Sequence, residues 1–178
     1  MPQAQKNAQL VVLTGFMAAG KSTAGRALAS SLRWRFVDLD CEIETRTGQS
    51  IPELFARHGE ERFRQIEAEI LHAVLEAAEA STVMALGGGT FAHPGNAALL
   101  RECRAHVVFL KVSTEELLRR CREAGVNGRP LVRDEESFSR LYAKRLPLYR
   151  TADLEIAAEG KSPEAIAQEI AERLNVGG

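Results

Sequence analysis

Leu10-Val11-Val12-Leu13-Thr14-Gly15-Phe16-Met17-Ala18-Ala19-Gly20-Lys21-Ser22-Thr23 is the stretch whose reading decides the fold. Its first five residues are apolar without alternation, as in a strand covered on both faces, and the pattern from Ser22 onward is helical. Between them Gly15–Ser22 spells G-x-x-x-x-G-K-S. The glycines let the backbone wrap a phosphate chain, so that several N–H groups and a helix N-terminus point at it. Lys21 is placed to bridge β- and γ-phosphates, and the Ser22 hydroxyl to ligate Mg²⁺. In this strand-then-helix setting the motif implies binding of a nucleoside triphosphate.

The rest of the 178-residue chain continues the alternation of short apolar runs and longer amphipathic ones expected of a parallel sheet with crossover helices. Strands are expected at Leu10–Thr14, Phe36–Leu39, Thr82–Leu86, His106–Val112 and Leu154–Ala157. Helices are expected near Ser22–Leu32, Glu60–Glu79, Asn96–Cys103, Ser113–Ala124, Phe138–Leu148 and Pro163–Leu174. Ser50-Ile51-Pro52-Glu53 and Ser113-Thr114-Glu115-Glu116 both read as capping boxes, and Ser162-Pro163 as an N-cap followed by proline at the first helical position. No repeat or linker divides the chain, so residues 1–178 read as a single domain of a size that buries a core without disulfides. The basic, glycine-bearing, aperiodic stretch Ala124–Arg133 reads as a mobile loop over the site.

A net charge of −1 gives no reason to expect a nucleic-acid or membrane-surface partner. Cys41, Cys103 and Cys121 are odd in number, and none forms a C-x-x-C pair. With a polar start and no apolar run of membrane-spanning length, the expectation is a cytoplasmic protein without membrane attachment. His58, His72, His93 and His106 are scattered and form no H-E-x-x-H, so no transition-metal site is expected. Modest size and the lack of a patterned association helix favour a monomer.

Three further places carry chemistry. Phe36-Val37-Asp38-Leu39-Asp40 ends the second strand, where alternation would turn both carboxylates toward one ligand. Asp38 then supports Mg²⁺, directly or through water, and Asp40 orients an acceptor hydroxyl, with or without accepting its proton. The alternative is that one aspartate caps a helix over Cys41–Thr47, Asp40 being the better placed for it. Gly87-Gly88-Gly89 follows the third strand and exposes bare backbone at the ligand edge, or else forms a flexible turn. Arg64, with Glu67 three residues on to pin it, and Arg145 could each hold a planar carboxylate by a bidentate fork; a solvated surface is the alternative.

Assembled, these residues closely resemble the shikimate kinases, almost end to end. The likeness is carried by G-F-M-x-A-G-K-S-T at Gly15–Thr23, D-x-D at Asp38 and Asp40, and T-G-x-S-I-x-E-L-F at Thr47–Phe55. It continues with G-E-x-x-F-R-x-x-E at Gly59–Glu67, L-G-G-G at Leu86–Gly89, R-P-L at Arg129–Leu131 and K-R-x-P-L-Y at Lys144–Tyr149. The resemblance implies a three-layer α/β fold with a five-stranded parallel sheet in the order 2-3-1-4-5, flanked by helices. A mobile LID would cover about 124–135, and a substrate-binding helical region about 41–72. It implies transfer of the γ-phosphate of ATP to the 3-hydroxyl of shikimate, with Mg²⁺, in aromatic amino-acid biosynthesis. ATP would contact Gly15, Ala18, Ala19, Gly20, Lys21, Ser22 and Thr23, its adenine lying between Arg120 and Pro163. Shikimate would meet Asp40, Arg64, Gly87, Gly88, Gly89 and Arg145, with Phe55 and Phe63 as walls. Lys21, Asp40 and Arg129 would be catalytic, Arg129 reaching the transferring phosphate from the LID. Family loops commonly carry glycine where this chain has Ala18, and the segment from Arg120 to Arg129 is slightly long.

Two other readings compete. One is another small-molecule kinase of this fold, acting on gluconate or a nucleoside monophosphate. The other is an inactive nucleotide-binding homologue, against which Lys21, Asp38, Asp40 and Arg129 all stand intact.

Overall fold

The computed structural model describes residues 9–78, 80–124 and 134–177. Five strands form one parallel sheet: β1 (Leu10–Thr14), β2 (Arg35–Asp38), β3 (Thr82–Ala85), β4 (His106–Lys111) and β5 (Leu154–Ala157), in the order β2-β3-β1-β4-β5. The expected order is therefore the observed one. β1 lies at the centre, pairing Leu13 with Ala85 on one side and with Val108 on the other. Its Val11, Val12 and Leu13 are wholly buried, as the unbroken apolar run required. At the edge, β5 instead alternates, with Leu154 and Ile156 buried and Glu155 and Ala157 exposed.

Among the described residues the helices are α1 (Lys21–Leu32), α2 (Leu39–Thr47), α3 (Ile51–Glu76), α4 (Pro94–Glu102), α5 (Thr114–Glu123), α6 (Glu135–Tyr149) and α7 (Pro163–Leu174). α3 is two helical pieces run together at Gly59, whose φ of 75° and ψ of 174° break the pattern. The sequence pattern predicts the second piece from Glu60 and the cap at Ser50, while the piece over 51–58 falls only within the helical region of about 41–72 that the family resemblance implies. That Ser50 cap is a complete box, since Ser50 and Glu53 each bond the other's backbone N–H. Ser162 caps α7 as expected.

The Ser113 box is only half made, a correction to the sequence reading. Ser113 Oγ accepts from the Glu116 N–H, but the N–H of Ser113 donates to Glu159 Oε2, 3.0 Å away. Glu116 itself turns to Arg119 and Arg120. A carboxylate facing two guanidiniums has stronger partners there than a backbone amide.

A second correction concerns Phe36–Leu39. The strand stops at Asp38, which is the N-cap of α2 and accepts from the N–H groups of Asp40 (3.1 Å) and Cys41 (3.3 Å). The cap is thus Asp38, not Asp40, and the two aspartates do not share a strand face. Leu10–Thr14, Leu154–Ala157 and Pro163–Leu174 are observed as expected, and the remaining boundaries shift by at most three residues, a scale at which helix and strand ends are loosely defined.

Candidate active site

All the chemistry gathers at the carboxyl edge of the sheet, where strands give way to loops. β1 runs into Gly15–Gly20, a loop held by left-sided backbone angles: φ is 144° at Gly15, 61° at Ala18 and 88° at Gly20. At Gly15 a Cβ would also meet the Leu110 carbonyl oxygen at 2.8 Å. Ala18, where family loops commonly carry glycine, adopts the left-handed conformation although it carries a Cβ, a strained choice for an L-residue. Lys21 Nζ arches back over the loop and donates to the carbonyls of Gly15 (2.9 Å) and Phe16 (2.8 Å).

The start of α1 differs from most others in the molecule. α2, α3, α5, α6 and α7 begin with a Ser or Asp side chain bonded to an early N–H. α1 has Gly20 at that place, no side-chain cap and no acidic residue in its first turn. Its leading N–H groups and the positive end of the helix dipole thereby suit an anionic ligand. Ala19 is a buried residue of the loop, and Thr23 is exposed in the first turn of α1.

Ser22 Oγ donates to Asp38 Oδ2, joining the loop to the end of β2. A hydroxyl and a carboxylate in contact are the hard oxygen donors that Mg²⁺ takes. Asp38 therefore does two jobs, one oxygen capping α2 and the other facing Ser22.

Asp40, in the first turn of α2, faces a different place. Its Oδ1 lies 2.7 Å from where a Cβ on Gly87 would stand. Gly87–Gly89 also lies against the phosphate loop, since a Cβ on Gly88 would come 3.3 Å from the Met17 N. At Gly89 that position is taken by Arg64, with Nη2 at 2.5 Å and Cζ at 2.8 Å. The absent side chains thus leave room for the protein's own charged groups as well as for bare backbone.

Arg64 and Arg145 are drawn into this cluster rather than left on a solvated surface. Arg64 Nη1 donates to Glu67 Oε2 at 2.9 Å, as the i,i+3 spacing anticipated, and its guanidinium lies over the rings of Phe63 (5.2 Å) and Phe55 (5.9 Å). Those two rings pack at 4.3 Å, interplanar angle 31°. Arg145 is 8% exposed, donates from Nη1 to the Gly88 carbonyl at 3.3 Å and lies over Phe16. Both guanidiniums therefore rest against the dipeptide Gly88–Gly89.

On the other side of the loop, Arg120 Nη1 reaches the Ala18 carbonyl at 3.3 Å, and its Nε bonds Glu116 at 2.7 Å. Arg119 and then Arg120 hold the Glu116 carboxyl down at about 2. Pro163 opens α7, which follows β5, the neighbour of the strand that leads to α5. Arg129 and the rest of 125–133, the core of the expected LID, lie outside the described residues.

Three contributors escaped the sequence reading. Tyr149, fully buried and stacked on Phe109, donates its hydroxyl to the same Gly88 carbonyl, and burial pushes its phenol up to about 12. Glu116 fixes Arg120, and Thr90 contacts Glu67. Tyr149 stood inside the K-R-x-P-L-Y motif, but no local spacing linked it to Gly88.

A phosphate loop and a cationic cluster abutting on one sheet edge define a P-loop kinase for a small molecule. The sequence pattern of the family Shikimate kinase matches residues 17–175. Shikimate kinase from Moorella thermoacetica is 43% identical over 167 residues, covering 92% of this chain and 93% of that protein. Its counterpart from Geobacter metallireducens is 44% identical over 163 residues, 90% of this chain and 88% of that one. Shikimate kinase from Acinetobacter baumannii, solved in complex with shikimate, superposes with a TM-score of 0.87 at 34% identity, covering 97% of this chain and 96% of the other. A gluconokinase from Sinorhizobium meliloti, at 16% identity and a TM-score of 0.57, shares the fold alone. The chain belongs to the shikimate kinase family.

Proposed function

We propose that this chain transfers the γ-phosphate of ATP to the 3-hydroxyl of shikimate, giving shikimate 3-phosphate and ADP on the route to chorismate and the aromatic amino acids. Membership of the family supports the reaction. The observation that carries the substrate assignment is the pair of guanidiniums, Arg64 and Arg145, set against Gly88–Gly89 next to Asp40. Two forks around bare backbone suit one planar carboxylate on a small hydroxylated ring.

In this reading Gly15–Thr23 holds the triphosphate, with Lys21 neutralising charge on the β- and γ-phosphates and Arg120 and Pro163 flanking the adenine. Ser22 and Asp38 hold Mg²⁺, which supplies charge neutralisation at the phosphates. Phe55 and Phe63 wall the acceptor pocket within the helical region 41–72. Asp40 orients the 3-hydroxyl and stands ready to take its proton. Arg129, on a LID over about 124–135, meets the transferring phosphate; this role rests on the family resemblance. The enzyme works as a cytoplasmic monomer without nucleic-acid or membrane partners; among the described residues no helix is long and apolar enough to cross a membrane.

A coupled assay of ADP release tests the assignment, with shikimate, gluconate and nucleoside monophosphates offered in turn. Shikimate is expected to be the one efficient acceptor, and omission of Mg²⁺ to abolish transfer. Faster turnover of gluconate or of a nucleoside monophosphate would move the chain to another small-molecule kinase activity.

A further inference from the structure

Arg64 does not hold its place alone, and its partner Glu67 is buried to 1% exposure inside α3. A buried carboxylate is tolerated when both oxygens are satisfied. Oε2 receives Arg64 Nη1 at 2.9 Å, and Oε1 receives the hydroxyl of Thr90 at 2.7 Å. Thr90 is itself 0% exposed and is clamped at both backbone groups. Its N–H donates to the Gly87 carbonyl at 3.2 Å, and its carbonyl accepts from Asn96 Nδ2 at 3.1 Å. The chain of bonds therefore runs from the first turn of α4 through Thr90 and Glu67 to the guanidinium.

The surroundings make the hydroxyl's choice of partner consequential. A Cβ on Gly87 would stand 2.7 Å from Asp40 Oδ1, 3.0 Å from Thr90 Oγ1 and 3.3 Å from Glu67 Oε1. Two carboxylates and one hydroxyl thus converge beside the glycine. A threonine hydroxyl has a single proton to donate, and here it goes to Glu67. That bond turns the Glu67 carboxylate so that its other oxygen meets Arg64, and a charge-assisted bond in a dry site holds this orientation firmly.

We infer that Thr90 is a positioning residue for the acceptor: by fixing Glu67 it sets the angle at which the Arg64 fork receives the substrate carboxylate. This rests on the reading of Arg64 as a carboxylate holder. Among the described residues Thr90 bonds Glu67, Gly87, His93 and Asn96 and neither Arg64 nor the phosphate loop, so its effect falls on acceptor affinity.

The test is steady-state kinetics of Thr90→Val, which keeps the shape and loses the hydroxyl. The Michaelis constant for shikimate should rise about tenfold, with kcat and the constant for ATP within about twofold, and Thr90→Ser should restore the wild-type value. Placed in an Arg64→Lys background, Thr90→Val should add little, because both act on one contact. If the valine variant does not fold, Thr90→Ala removes the same hydroxyl without adding bulk and is expected to give the same split. An unchanged constant for shikimate, equal changes for both substrates, no rescue by serine, or additivity with Arg64→Lys would each overturn the inference. Arg64→Lys alone separates the two layers: no effect on shikimate defeats the site reading, whereas an effect there without one at Thr90 defeats only the positioning role.

Discussion

Gly89 shows how much of the proposed acceptor site depends on an atom that is absent. A Cβ there would lie 2.5 Å from Nη2 of Arg64, and only the far end of a flexible side chain stands in the way. Gly89→Ala should accordingly fold normally while pushing the guanidinium aside. We expect the Michaelis constant for shikimate to rise roughly tenfold with little change for ATP, the cost of losing one well-placed charged hydrogen bond. Ala18 offers the opposite case, a Cβ present where the backbone would do better without one. At φ 61°, Ala18→Gly should stabilise the fold by about 1 kcal/mol in a denaturant titration, because left-handed strain is relieved. An unchanged midpoint would mean that the loop relaxes around alanine. Ala18 stood out because family loops commonly carry glycine there, and the places of Lys21 and Ser22 could be read from the motif, since a fixed local spacing dictates them. The partner of Gly89 could not, because it arrives from a helix elsewhere in the chain.

The elements show where local sequence stops deciding. Asp38-Leu39-Asp40 fits strand alternation and helix capping equally well. The helix prevails because Asp38 can satisfy two N–H groups of α2 while its second oxygen meets Ser22. After this change of backbone Asp38 still faces the phosphate loop and Asp40 the glycine run. At α5 the expected box gave way to contacts from afar: Glu159 takes the Ser113 N–H across 46 residues. Glu116 is thereby left to Arg119 and Arg120, with Arg119 the larger influence on its carboxyl. Because that carboxyl is lowered from 4.5 to about 2 in the folded protein, the contribution to stability is full above about pH 4.5. It is lost as the pH falls toward 2 and the folded-state group takes up its proton. Thermal unfolding of wild type and Glu116→Gln should differ modestly near neutral pH and converge as the pH drops through that window. A gap that persists at low pH would show that Glu116 acts through packing and not through its charge.

At the scale of the whole molecule, a parallel sheet with crossover helices and a phosphate loop at its edge followed from one strand, one loop and the alternation of short and long apolar runs, whereas the strand order came from the family resemblance. The acceptor side was legible only as separate fragments, D-x-D, F-R-x-x-E, G-G-G and K-R-x-P-L-Y, which folding brings to one edge. Tyr149 reaches Gly88 across 61 residues, a distance at which no periodicity carries information. The central claim is that two guanidiniums at this edge select a carboxylate while the neighbouring loop delivers the phosphate. The most direct measurement compares ADP release with shikimate and with its methyl ester, which keeps the ring and hydroxyls but removes the negative charge. The account predicts rapid transfer to shikimate and a loss of at least about 10²-fold in kcat/KM for the ester, chiefly through KM. No transfer to shikimate, or equal efficiency with the ester, would contradict it.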